Sequence, residues 1–237
     1  ESASYEPGSA STIMGYAGIC SPNVQNNSDA YFHGYSIEEM SKYIVNGIGN
    51  QCPTKTSLDG TIPVITESTG NYTIPKLTPF ELKAKAEGDQ PLIFQWDQLD
   101  NAVAEVQPPK STNTKGPLFR SYWGDNSGVR TFPAINYIVK NLNNTWEALP
   151  GVKRDVNFIL TVKEDKPGGA NHAQKKNKLS VDNTAGPFVV TYPNDKFITW
   201  FVGEGREITW DVAKTDAGNV KCKNVNILLS DDGGYNY

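Results

Sequence analysis

Apolar residues recur at helical spacing in one stretch of this chain and alternate at strand spacing through most of the rest. Ile37, Met40 and Ile44 fall on one face of a helix. Ser36 stands before them as the expected N-cap, and Glu39, three residues on, completes a capping box. Gly47 is the expected stop, so the pattern predicts a helix over 37–46. From 63 to about 185 the texture changes to short runs broken by Gly, Pro, Asn and Asp. Strands are predicted at 63–66, 80–86, 92–99, 129–133 and 157–163. Leu92, Phe94 and Trp96 share one strand face, as do Phe158, Leu160 and Val162, and both triplets read as core. The stretches 106–122 and 166–178 are polar and read as long loops.

The pattern divides the chain into 1–53, 54–185 and 186–237. The second region opens on a polar linker at 54–62 and reads as a β-sandwich. The third carries expected strands at 188–191, 208–212 and 225–230, the first half of another β-unit. The chain opens Glu1-Ser2-Ala3-Ser4 and closes just after an Asp232-Gly233 hairpin turn. The expectation is a fragment of a longer chain.

Composition narrows the class. The 237 residues are 38% hydrophobic and 20% charged, enough apolar matter for packed cores. The net charge of −4, with only Lys175-Lys176-Asn177-Lys178 as a basic cluster, argues against a nucleic-acid partner. No apolar run reaches the length of about 18 residues needed to span a bilayer.

No complete catalytic constellation is present. His-Glu-x-x-His, a nucleophile elbow and a phosphate loop are all missing. The two histidines, His33 and His172, lie in different regions. Cys20 and Cys52 bracket one segment and are candidates for a disulfide worth roughly 3 kcal/mol in the chain-entropy model. The alternative is a pair of buried free thiols. Cys222 has no partner nearby.

The segment from Tyr5-Glu6-Pro7-Gly8 through Thr12-Ile13-Met14-Gly15-Tyr16-Ala17-Gly18-Ile19-Cys20 resembles the Met-turn of metzincin metalloproteases. More narrowly, it is similar to that of reprolysin-like peptidases in secreted bacterial multidomain proteins. The resemblance implies a zinc held by H-E-x-x-H-x-x-G-x-x-H, whose Glu is the general base on zinc-bound water. Those three histidines would lie upstream of residue 1, so none of the metal's ligands is expected within the chain, His33 included. His33 reads instead as a neighbour of the helix cap or a surface residue. Met14 matches the methionine that forms a soft apolar floor under the zinc site. Tyr16 matches a tyrosine that some metzincins place near the metal, where it ligates zinc or hydrogen-bonds the oxyanion. Its alternative role is packing in a pocket wall. The helix at 37–46, preceded by Asp29-Ala30-Tyr31-Phe32-His33, matches the family's last helix.

A second resemblance covers the β-region. Glu87-Gly88-Asp89-Gln90-Pro91-Leu92-Ile93-Phe94-Gln95-Trp96 resembles a strand-turn-strand of polycystic-kidney-disease-type immunoglobulin-like domains, and 156–165 their closing strand. Ile208-Thr209-Trp210-Asp211-Val212-Ala213 and 225–234 resemble a following immunoglobulin- or fibronectin-like module. Asp89 and Asp97 are candidate calcium ligands, or simply solvated carboxylates.

The expected fold is therefore mainly β, with immunoglobulin-like sandwich modules after a small helical remnant of a metzincin catalytic domain. The expected parent is a secreted or cell-surface zinc metalloendopeptidase acting on a protein or peptide substrate, the fragment alone being inactive. The alternatives are a binding or adhesion module for protein or glycan, with Tyr122 and Trp123 as exposed contacts, or a spacer. Residues 1–53 are expected to pack on the β-region or to remain mobile.

Overall fold

Strands whose apolar residues alternate can share a core only if their inward faces meet. The computed structural model describes residues 3–101, 107–195, 197–234 and 236–237. Its elements are helix α1 (Gly34–Ser41), strands β1 (Val64–Ser68), β2 (Tyr72–Pro75), β3 (Phe80–Glu87), β4 (Leu92–Gln98) and β5 (Val129–Phe132), and helix α2 (Ile135–Val139). Strands β6 (Asp155–Glu164), β7 (His172–Asp182), β8 (Val189–Tyr192) and β9 (Thr209–Asp211) follow. The described residues are mainly β, as the alternation predicts.

One sheet has the order β1-β3-β5 and a second the order β2-β7-β6-β4. The chain switches between them from β1 to β2, and β2 then pairs parallel with β7. The core draws on both sheets. Leu82 and Phe132 from the first meet Ile74, Trp96, Phe158, Leu160, Val162, Leu179 and Val181 from the second. Four phenylalanines form its centre, with Phe80 and Phe132 stacked at 4.9 Å and Phe119 edge-on to Phe132 at 5.0 Å. Phe158 closes the group at 4.9 Å from Phe132. Of the two triplets read from the sequence, Phe158, Leu160, Val162 and Trp96 are buried in this core, and Leu92 and Phe94 pack against it half-buried.

Several local expectations are corrected. The 166–178 stretch is a loop only in its first part, because β7 begins at His172 and pairs with β6. The outward residues of β7 include Lys175, Lys176 and Lys178, so its strand pattern is diluted by polar side chains. Strand β2 and helix α2 were too short to register as periodic segments. The 107–122 stretch carries no strand beyond an isolated bridge from Phe119 to Glu147, and Val106 lies outside the described residues. It nonetheless buries Leu118 and Phe119. Gln98 Oε1 accepts from both of their amides, at 2.7 and 3.0 Å, which satisfies backbone that a buried loop would otherwise leave unpaired.

In the last region β8 and β9 pair antiparallel, but the expected strand at 225–230 does not form. Val225, Ile227, Leu228 and Leu229 are exposed there. A strand with no partner has neither its ladder hydrogen bonds nor a face to bury.

The first helix also differs from its prediction. His33, not Ser36, is the N-cap, and its Nδ1 accepts from the Tyr35 amide at 3.1 Å. Helix α1 continues into a π-helical turn over Lys42–Asn46, and Gly47 ends it. No helix among the described residues is long and apolar enough to cross a membrane.

Candidate functional site: the turn at Met14 and its anchorage

The glycine- and serine-rich segment that opens the chain is held by its own side chains. Glu6 Oε1 accepts from the Ser11 amide at 3.0 Å, and Glu6 Oε2 from the Thr12 hydroxyl at 2.5 Å. The backbone closes the turn through Gly15 N–H to Thr12 C=O at 2.9 Å and Tyr16 N–H to Ser9 C=O at 2.8 Å. Gly8 is required by its surroundings. It has φ +57°, and a Cβ there would lie 2.6 Å from the Trp146 ring. The result is a tight turn that presents Met14 and Tyr16 outward, 63% and 64% exposed.

These two side chains face an open cleft of about 710 Å³. Tyr5, His33, Tyr35 and Glu39 contribute to its opposite wall. The Tyr5 ring packs 4.0 Å from the Tyr35 ring and stacks 6.2 Å from the His33 ring. Met14, Tyr16 and helix α1 are therefore brought to one cavity.

Behind the cleft the segment is fastened to the β-region by a buried polar network. Asp97, fully buried on β4, accepts from the Gly34 amide at 2.8 Å and from Gln95 Nε2 at 2.6 Å through Oδ2. Its Oδ1 accepts from the Ser121 hydroxyl at 2.5 Å. Ser121 Oγ in turn accepts from the Tyr31 hydroxyl at 3.1 Å. The Ser11 hydroxyl lies 3.2 Å from the Ser121 carbonyl and 3.1 Å from Glu6 Oε1. Gln95 Nε2 also donates to the Phe32 carbonyl at 2.9 Å, and Gln174 Nε2 to that of Gly34 at 2.8 Å. Burial holds the Tyr31 phenol well above its ordinary pKa, so it stays neutral and able to donate. The outcome for the first region is packing: residues 31–34 lie against β4 and β6.

Of the remaining candidates, His33 and Cys20 also line the cleft, while His172, Cys52, Cys222 and Asp89 do not. His33 is buried as a cap rather than lying at the surface. His172 sits with Nε2 3.5 Å from the Ser41 hydroxyl, and burial pushes its pKa down. Cys20, Cys52 and Cys222 are free, exposed thiols, so the expected Cys20–Cys52 bridge is not formed and the thiols are not buried either. Cys20 lines the cleft while Cys52 does not. Asp89 Oδ2 accepts from the Thr61 amide at 3.0 Å and hydroxyl at 2.8 Å, pinning the linker. Asp97 is buried with three neutral donors on its carboxylate, unlike a solvated carboxylate. Among the described residues no group of three or more His, Cys, Asp or Glu could hold a metal ion. They do not by themselves fit zinc.

A smaller cavity of about 170 Å³ lies beside Tyr122, Trp123 and Arg130. The Arg130 guanidinium stands 4.4 Å over Phe132 and 5.1 Å over Tyr122, and pairs with Glu147 at 3.0 Å. Trp123, 57% exposed, packs edge-on to Tyr31 at 5.3 Å, with Lys163 Nζ 5.3 Å over its ring.

Sequence reasoning missed Glu6, Gly34, Gln95 and Ser121, and of its two readings of Asp97 burial excludes the solvated carboxylate. The one available signal was Gln95 and Asp97 alternating with Phe94 and Trp96 on β4. That alternation marks a polar face and does not reveal that another segment covers it. Neither the known family models nor the curated proteins contain a match to this chain.

Proposed function

We propose that the chain is part of a secreted zinc-dependent metalloendopeptidase of the reprolysin-like metzincin class. On this reading residues 1–53 are the last part of the catalytic domain, 54–185 an immunoglobulin- or polycystic-kidney-disease-like sandwich, and 186–237 the start of a second such module. The observation that carries the reading is the outward presentation of Met14 and Tyr16 from a tight turn onto an open cleft shared with α1. Met14 is exposed together with Ile13, Tyr16 and Ile19, and an apolar patch of this kind marks a contact surface for another part of the protein or a ligand. The apolar residues Tyr43, Ile44, Val45 and Ile48, exposed just beyond α1, support the same view.

The zinc histidines belong, on this reading, to a stretch preceding Glu1, and the described residues supply the floor and the supporting helix. The reaction class is peptide-bond hydrolysis in a protein or peptide substrate, and residues 1–237 alone are inactive. The coding sequence upstream of Glu1 should contain H-E-x-x-H-x-x-G-x-x-H within a few tens of codons. The full protein should cleave casein and lose that activity to a chelator. An upstream stretch without H-E-x-x-H sinks the proposal.

A second reading, a protein- or glycan-binding module, is favoured by the aromatic cavity at Tyr122, Trp123 and Arg130. Glycan binding by residues 54–237, lost in Trp123→Ala, would support it.

A further inference from the structure

The β-region does more than follow the turn in sequence. Ser121 touches the opening segment at two places, through Ser11 and through Tyr31. Backbone bonds from residues 29 and 31 hold the turn on either side of Thr12. The Ile13 amide donates to the Tyr31 carbonyl at 3.0 Å, and the Asp29 amide to the Ser11 carbonyl at 2.8 Å. Met14 is the next residue. The position of Ser121 is itself fixed by Asp97, which also caps the first turn of α1 through Gly34. Ser11, Tyr31, Asp97 and Ser121 are all buried, so water does not compete for these bonds.

We propose that Asp97 and Ser121 are positioning residues for the turn at Met14, making the β-region a clamp on the turn and on the start of α1. This rests on the metalloprotease reading only in taking the turn as the floor of a catalytic site. A β-unit acting as a detachable spacer would have no reason to bury a carboxylate on the segment it trails. Burying Asp97 carries a desolvation cost that is offset only while all its donors stay in place. Loss of one partner therefore loosens both the turn and the start of α1.

Hydrogen exchange on residues 1–237 tests this without any need for activity. Asp97→Ala and Ser121→Ala should speed amide exchange about tenfold or more across 9–20 and 29–37, while amides of β6 and β7 keep their protection. Asp97→Asn should restore most of the protection. Its carbonyl can still accept from Gly34 and Gln95, and its amide can donate to Ser121 Oγ. Leu179→Ala, a core change in β7, is the control for general loosening and should not single out the turn. Should Asp97→Ala fail to fold, Ser121→Ala and Tyr31→Phe carry the same test.

The clamp is overturned if turn exchange is unchanged in these variants, or rises only in step with β6 and β7 as in the control. It is equally overturned if Asp97→Asn behaves as badly as Asp97→Ala. A parent protein without protease activity would remove the catalytic reading and leave the exchange result to decide the clamp.

Discussion

Asp97 Oδ2 accepts a 2.8 Å hydrogen bond from the amide of Gly34, joining the first turn of α1 to a β4 residue 63 positions later. A helix start leaves unpaired N–H groups and a partial positive charge, and a carboxylate answers both. His33 takes a second amide, that of Tyr35, so two buried side chains from different segments cap one short helix. This explains why Ser36, a good capping residue by type, lies inside the helix instead.

Gly34→Ala should disrupt this joint. A Cβ at position 34 would lie 2.7 Å from Ile159 Cγ2 and 3.0 Å from Thr161 Oγ1. Better helix propensity would favour alanine by up to ~1 kcal/mol, but overpacking costs about 1–3 kcal/mol. The expected net is a loss of stability, read as a lower urea midpoint. A variant as stable as the parent chain would show that α1 does not press on β6.

Phe158→Ala should cost about 3–5 kcal/mol, because the ring is fully buried among Phe80, Phe119 and Phe132. Equilibrium denaturation measures this directly. A loss below about 1 kcal/mol would mean that the aromatic group is not packed as described.

His172 makes stability depend on pH. Burial lowers its pKa in the folded chain, so the unfolded chain binds its proton more readily. As pH falls below the ordinary histidine value of about 6.5 and through the lower folded value, this group costs stability. The cost is absent above that window. His172→Gln should flatten the slope of unfolding free energy across it, and an unchanged slope would assign the pH dependence elsewhere.

The three thiols are free and exposed. Native protein, without reductant, should therefore be alkylated by iodoacetamide at Cys20, Cys52 and Cys222, as read by peptide mass spectrometry. Protection of Cys20 and Cys52 together, relieved by reductant, would restore the disulfide that the sequence suggested.

Leu228→Ser and Leu229→Ser should each change stability by no more than about 0.5 kcal/mol, since both side chains are exposed. A larger loss in thermal denaturation would indicate that the 225–230 segment packs against a partner surface.

The sequence alone determined the mainly β character, the two apolar triplets on β4 and β6, and the helix that ends at Gly47. Each follows from local periodicity or from a stop residue, which act over a few neighbours and are legible one segment at a time. It also singled out the turn at Met14, because a methionine among glycines and serines is locally unusual. It could not reveal β7, whose strand pattern is hidden among lysines that face water. Nor could it assign Asp97. Alternation marks Gln95 and Asp97 as the polar face of β4, and a polar face looks the same whether water or another segment lies over it. Only the tertiary structure decided that residues 31–34 cover that face, that Gly34 is needed for the close approach, and that a carboxylate from the sheet caps the helix. Such contacts join residues far apart in the chain, and local patterning carries no record of them.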